Sequence, residues 1–316
     1  MSVLRNNKKN IIVACPVCAH KECKNIYRFG TSLFSINISF CKNCGFVFQN
    51  PRPSENEWSD YYSTGVYDKF HRPHPCLERN ELESDTGILV LERIQSFYNE
   101  KKIIGNRVCE IGAGDGNVIC AFKGNELYAI EPSIKFRDIL KKKEIKCTWD
   151  SIDFVKETGF KFDILLMRHV LEHIYYPNKF LETIGNLLAD KGIVYIAVPN
   201  IFGSDRIWIN MITYPHISYF STKTLKYLCK NEGYNVLAIE EGVDEIWCLI
   251  SKKKNINGTK ENEKECLNSV KNVKETYRLL QNEKHTSLFL KRTFIRYTSY
   301  FLPIVLQKMV YKTRSK

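Results

Sequence analysis

The sequence predicts an α/β protein, built on a largely parallel sheet with helices on both faces and flanked by a small amino-terminal ribbon and a helical carboxy-terminal tail. Three observations predict it. Two Cys-x2-Cys pairs fall in the first 50 residues, short apolar runs alternate with helical patterns from 105 to 251, and positive charge collects beyond 251. The boundaries follow: 1–50 ribbon, 51–104 aromatic linker and helix, 105–251 α/β domain, 252–316 basic tail. A chain of 316 residues suits such a division, and 44% hydrophobic with 26% charged residues excludes wholesale disorder and a membrane bundle. The net charge is +12, but residues 251–316 hold 16 Lys+Arg and 5 Glu, or +11, leaving 12 − 11 = +1 on the other 250. A near-neutral body is not a nucleic-acid-binding surface, so no nucleic-acid partner is expected.

Residues 1–10 are polar and basic without an apolar stretch, and no run approaches the ~18 apolar residues of a membrane span. The expected location is cytoplasmic, where cysteines stay reduced and a cysteine cluster signals metal before disulfide. Cys15 and Cys18 sit in Cys-Pro-Val-Cys; Cys41 and Cys44 sit in Cys-Lys-Asn-Cys, 22 residues on. Two such turns supply the four soft ligands of a closed, structural Zn2+ site, with His20 and Cys23 as nearby alternatives for a ligand position. Between the pairs, Phe34, Ile36, Ile38 and Phe40 alternate as in a strand of a ribbon hairpin.

Beyond Pro51-Arg52-Pro53, the rings of Trp58, Tyr61, Tyr62 and Tyr67 are interleaved with small polar residues and read as a loop laid on a surface. The loop either packs between domains or forms a lid whose tyrosines touch substrate. His71, Pro73, His74, Pro75 and Cys76 read as further loop, and 78–100 reads as a helix with Ile88, Leu91, Ile94 and Phe97 at helical spacing.

The α/β domain opens with strand 107–111, which runs into Gly112-Ala-Gly114-Asp-Gly116. So many glycines let the backbone approach a ligand at the carboxyl end of the first strand. A second strand, 127–131, ends on Glu131, a carboxylate about 20 residues downstream, where ribose hydroxyls are bound. Asn117 stands where the dinucleotide fingerprint requires its third glycine, and no P-loop sequence is present, so NAD and ATP fall behind. Strands at 145–149, 162–167 and 193–198, helices at 115–123, 133–143, 151–157 and 178–188, and a terminal hairpin at 234–240 and 245–251 complete the pattern.

Glu110-x-Gly112-x-Gly114-x-Gly116 resembles motif I of the class I S-adenosylmethionine-dependent methyltransferases. Asp163-Ile-Leu-Leu-Met-Arg-His169-Val-Leu-Glu172-His173 is similar to their fourth strand and the segment after it, and Gly192 to Asn200 to their fifth. The segment from His216 to Ser221, with Gly233-Tyr234 following a helix, is similar to a stretch of the sugar- and quinone-modifying branches. The resemblance covers roughly 105–250 and implies a Rossmann-like seven-stranded sheet, with S-adenosyl-L-methionine held by Glu110, Gly112, Gly114, Gly116, Glu131, Asp150 and His169.

With its cysteine module and aromatic linker, the chain further resembles the C-methyltransferases of nucleotide-linked deoxysugars and their surface-polysaccharide relatives. That resemblance implies a small-molecule sugar substrate, His216 as general base and His173 as a second active-site histidine. Histidine suits proton removal near neutral pH. Pro215 stands where that pattern has Glu, which leaves C- and O-transfer both open, and the residues from 252 to 316 are not expected to form the large carboxy-terminal domain usual in that family. Residues 288–302 pattern as a basic amphipathic helix, fit to dock on the protein's own core, a partner or the inner face of a membrane. Two rival functions are an RNA base methyltransferase and a non-catalytic binding protein that has kept the fold.

Overall fold

The computed structural model describes residues 10–30, 35–71, 82–98, 106–148, 159–203 and 212–253. Asp150, the 151–157 helix, Phe34, Pro73 to Cys76 and the 288–302 helix lie outside the described residues.

Seven strands form the main sheet: β4 (Arg107–Ile111), β5 (Glu126–Ile130), β6 (Lys146–Thr148), β7 (Phe162–Arg168), β8 (Leu188–Pro199), β10 (Tyr234–Glu241) and β11 (Glu245–Lys252), in the order β6-β5-β4-β7-β8-β11-β10. The β4–β8 strands run parallel; β11 pairs antiparallel with β8, and β10 with β11. This is the predicted Rossmann-like arrangement. Alternation along the strands sends Leu165, Met167, Val194, Ile196, Cys248 and Ile250 into one core and Ile164, Leu166, Tyr195, Ala197, Trp247 and Leu249 into the other. Both faces are dry, so these strands read as nearly continuous apolar runs. Helices α5 (Pro177–Leu187) and α6 (Thr222–Asn231) cover the first face through Leu181, Ile184, Leu225 and Leu228. The second is covered by α3 (Leu82–Tyr98) and α4 (Arg137–Lys142).

Three expectations need correction. The aromatic stretch is helical, forming α1 (Glu55–Ser63) and α2 (Val66–His71). Ser54 and Glu57 close a capping box, and Trp58, Tyr61 and Tyr62 stand at i, i+3 and i+4 of a helix. Helix 115–123 is reduced to a 3-10 turn at Ile119–Phe122, because Asn117 bonds back to the Asp115 side chain. The buried face of α3 is Val90 and Ile94, while Ile88 and Phe97 are exposed. Gly87 faces the same way, and a Cβ there would meet the Asn117 and Val118 carbonyls at 2.8 and 2.9 Å.

The ribbon is a second sheet of β1 (Cys23–Gly30), β2 (Ser35–Cys41) and β3 (Val47–Gln49), completed by β9 (Ser218–Tyr219) from far along the chain. Val47 pairs with Tyr219 and Phe48 with Ser218. Phe46 packs on Phe220 at 5.0 Å, and Cys15, Cys41, Cys44, Phe46 and Phe48 join the same core as the sheet's first face. The ribbon is thus built into the larger fold through its strands and its rings.

Candidate active site

The first half of the site is the glycine turn at the carboxyl end of β4. Gly112, Gly114 and Gly116 have φ of +72°, +56° and +76°, a region that favours glycine. Cβ atoms at Gly112 and Gly116 would sit 2.7 Å from Val170 and Ile145, whereas one at Gly114 would meet nothing within 4 Å. Gly114 therefore faces open space, and its N–H donates to Glu131 Oε2 at 2.8 Å. Ser133 N–H donates to Glu131 Oε1, also at 2.8 Å. The two amides aim a 2%-exposed carboxylate at the mouth of the turn, and carboxylate oxygens that accept several hydrogen bonds suit a vicinal diol. Glu110 lies behind the turn, accepting from Ile119 N–H at 3.1 Å; burial pushes its carboxyl up to about 8.

The second half gathers at the carboxyl ends of β7 and β8. His169 follows β7 with φ +55°, a strained conformation for a residue with a side chain, costing about 1–3 kcal/mol. Its Nδ1 lies 3.4 Å from Glu172 Oε1 and its Nε2 3.6 Å from Glu245 Oε2. Burial opposes protonation of His169, but the two carboxylates outweigh it and raise the imidazole's affinity for a proton. Glu245 also accepts from Arg93 at 2.7 Å and Arg168 at 3.1 Å. This charged bracket fixes the rim where β7 and β8 end and β11 begins.

His173 and His216 stand together, ring centroids 4.8 Å apart. The His173 Nδ1–H donates to the Pro215 carbonyl at 2.9 Å, and the Tyr62 hydroxyl lies 3.2 Å from the same nitrogen. Trp58 donates its indole N–H to the His173 carbonyl at 3.0 Å. Tyr67 sits edge-on to His173 at 5.9 Å, and Tyr61 packs on Tyr214 at 5.1 Å. Helix α1 thus lies against the histidine pair. Helix α2 reaches the other half, where Ser133 Oγ–H donates to Asp68 at 2.7 Å and Lys135 Nζ to the Asp68 carbonyl at 3.4 Å. Together they bridge the glycine turn and the histidines, with tyrosines on the inner side.

Several residues that build this half carry no local signal. Gln49, fully buried at the end of β3, directs its amide N–H groups to the carbonyls of Thr213, Tyr214 and His216 at 3.1, 3.1 and 2.7 Å. Gln49 N–H also donates to Ile217 O, and Ile217 N–H to Glu172 O. The ribbon therefore holds the loop that carries His216. Arg52, buried to 1%, lies 3.9 Å over the Tyr175 ring and donates to its carbonyl at 2.9 Å, anchoring the linker before α1. The capping box of α1 was the one legible signal here.

The four cysteines converge as predicted, without His20 or Cys23. Cys15 and Cys44 sulfurs lie 3.6 Å apart and Cys18 and Cys41 3.5 Å, close to the ~3.8 Å edge of a tetrahedron with Zn–S of ~2.3 Å. Backbone N–H donation from Ala19 to Cys15 O and from Gly45 to Cys41 O closes each turn. The donor set fits Zn2+ and would fill all four of its positions.

The methyltransferase-domain family profile matches residues 82–239, half of the chain. Among solved structures, the plantazolicin methyltransferase in complex with a monoazolic desmethyl-plantazolicin analogue and S-adenosylhomocysteine is 14% identical with a TM-score of 0.50, over 63% of this chain and 94% of its own. An S-adenosylmethionine-dependent methyltransferase of Thermotoga maritima, a possible histamine N-methyltransferase, is 18% identical with a TM-score of 0.46, over 61% and 100%. The magnesium protoporphyrin IX methyltransferase of Synechocystis PCC 6803 is 14% identical, TM-score 0.46, over 63% and 100%. At 14% identity and a TM-score of 0.50, the likeness to the plantazolicin methyltransferase is one of fold alone. No curated protein matches the chain.

Proposed function

The chain belongs to the methyltransferase-domain family, and on that premise we propose that it transfers a methyl group from S-adenosyl-L-methionine to a sugar, nucleotide-activated, during surface-glycan or deoxysugar synthesis in the cytoplasm. The observation that carries the reading is the opposition of two sites across the carboxyl edge of one sheet. On one side is a carboxylate held at an open glycine turn; on the other is a pair of histidines roofed by tyrosines.

S-adenosylmethionine, when bound, supplies an electrophilic methyl on a sulfonium. The chain's own residues would do the rest. Glu131 would take the ribose hydroxyls, and Gly112, Gly114 and Gly116 would let the backbone lie against the cofactor. Tyr62 and Tyr67 would present ring faces and a hydroxyl to a sugar, apolar on one side and hydrogen-bonding at the edge. His216 would take the acceptor's proton, with His173 beside it. An aligned acceptor needs little more, because displacement at a methyl is dominated by positioning. The Zn2+ site has no open position and is structural in this reading.

The test is incubation of zinc-loaded protein with isotope-labelled S-adenosylmethionine and a panel of nucleotide-sugars, with label located by mass spectrometry. Label on a sugar carbon or oxygen is the expected result. Label on RNA, or none with any sugar while the cofactor binds, would overturn the sugar assignment.

A further inference from the structure

Glu172 is the most thoroughly buried carboxylate at the site, 1% exposed, and neither of its oxygens has a hydrogen-bond partner of ordinary geometry. A bare carboxylate in that position is costly unless a positive charge answers it. The groups that face it are imidazoles. His169 and His173 come from its own segment, at 3.4 and 3.8 Å from Oε1, and His216 comes from the loop after β8, with ligand atoms of Glu172, His173 and His216 within 4.8 Å of one another. Beyond them, Glu245 faces His169 and is itself paired with Arg93 and Arg168, and Tyr62 and Tyr67 abut His173.

His169 is already matched by Glu245 on its other nitrogen. His173 is the telling partner. Its Nδ1 must carry hydrogen, because the Pro215 carbonyl only accepts. Its Nε2 then faces Glu172 Oε1 either as a lone pair, which repels the carboxylate, or as N–H, which answers it. We propose that Glu172 is a positioning residue, whose buried carboxylate keeps a proton on the His173–His216 pair and so decides which imidazole is free to take the acceptor's proton. The arrangement is that of a buried acid behind a catalytic histidine, where the acid fixes orientation and stabilises the imidazolium that forms. Burial pushes the Glu172 carboxyl up, but His169, followed by His173 and His216, outweighs it and brings it down to about 2, so the charge is present throughout the working range. A divalent cation among the same side chains is the competing answer to that charge.

The inference rests on the proposed proton transfer for its kinetic arm, but its spectroscopic arm needs no substrate. In Glu172→Gln, loss of the negative charge lowers the proton affinity of every imidazole facing it. Histidine ring titrations followed by NMR on zinc-loaded protein should show one ring of the His173–His216 pair titrating at least one pH unit lower than in the parent. The acid limb of kcat/KM should move to lower pH by a similar amount, with a 10- to 100-fold fall at the plateau. Glu172→Asp, which keeps the charge, should restore the limb. Unchanged ring titrations in a folded Glu172→Gln protein would overturn the proposal, as would activity that vanishes on chelation under conditions that spare the cysteine site and returns with Mg2+ or Mn2+. A failure of the sugar reading alone would leave the NMR shift intact.

Discussion

The two halves of the site are built in opposite ways. The half proposed to take the cofactor is local: the glycine turn and Glu131 lie within residues 112–131, joined by Gly114 N–H donating to Glu131. The half proposed to take the acceptor is assembled from Gln49, the linker helices α1 and α2, the segment 169–173 and the loop 213–217. A ligand site made from one βαβ unit needs only the sheet, whereas a site made from four segments needs everything that holds them in register. The four-cysteine ribbon belongs to the second half, since β9 completes its sheet and Gln49 holds the His216 loop.

The contrast breaks most visibly on metal removal. Structural Zn2+ contributes on the order of 10 kcal/mol of binding free energy in small domains. Chelation, or Cys41→Ser, should therefore abolish methyl transfer while S-adenosylmethionine still binds within a fewfold of its parent affinity. Calorimetry beside a turnover assay reads both, and parallel loss of the two would mean that the halves are not separable. His216→Ala comes next, with an expected fall of ~10²–10⁴ in kcat and no change in cofactor affinity; parental activity would remove it as the base.

Gln49→Ala should be milder. Three carbonyls lose their donor and a buried side chain leaves a hole, at a cost of about 1–3 kcal/mol, seen as a lower Tm and a raised acceptor KM with the cofactor constant unaltered. The last effect lies behind the glycine turn. Glu110 binds its proton more tightly folded, up to about 8, than unfolded, near 4.3. Its contribution to stability is therefore whole below about pH 4 and lost as pH rises toward 8. Glu110→Gln should flatten the fall in Tm between pH 5 and 9, and an identical pH profile would place the proton elsewhere.

That asymmetry also explains what was legible. The alternation of strands and helices, the glycine turn and the cysteine cluster are written in contiguous patterns, because each draws its residues from short stretches with a fixed period or spacing. The aromatic linker misleads because interleaved rings and small residues look like a loop, although Ser54 and Glu57 mark a helix start. Gln49 and Arg52 were invisible, since a buried amide or guanidinium acquires its role only from carbonyls and rings distant in sequence. His173 and His216 were recognisable as residues, but their meeting depends on the Gln49 clamp and the Glu172–Ile217 backbone bond.

The most direct test of the account is calorimetric titration of zinc-loaded protein, parent, Glu131→Ala and His216→Ala, with S-adenosylmethionine. Saturable one-to-one binding to the parent, at least 100-fold weaker in Glu131→Ala and unaltered in His216→Ala, is the predicted result. Equal affinity in parent and Glu131→Ala, or no binding by the folded parent, would contradict the cofactor site and the division of labour built on it.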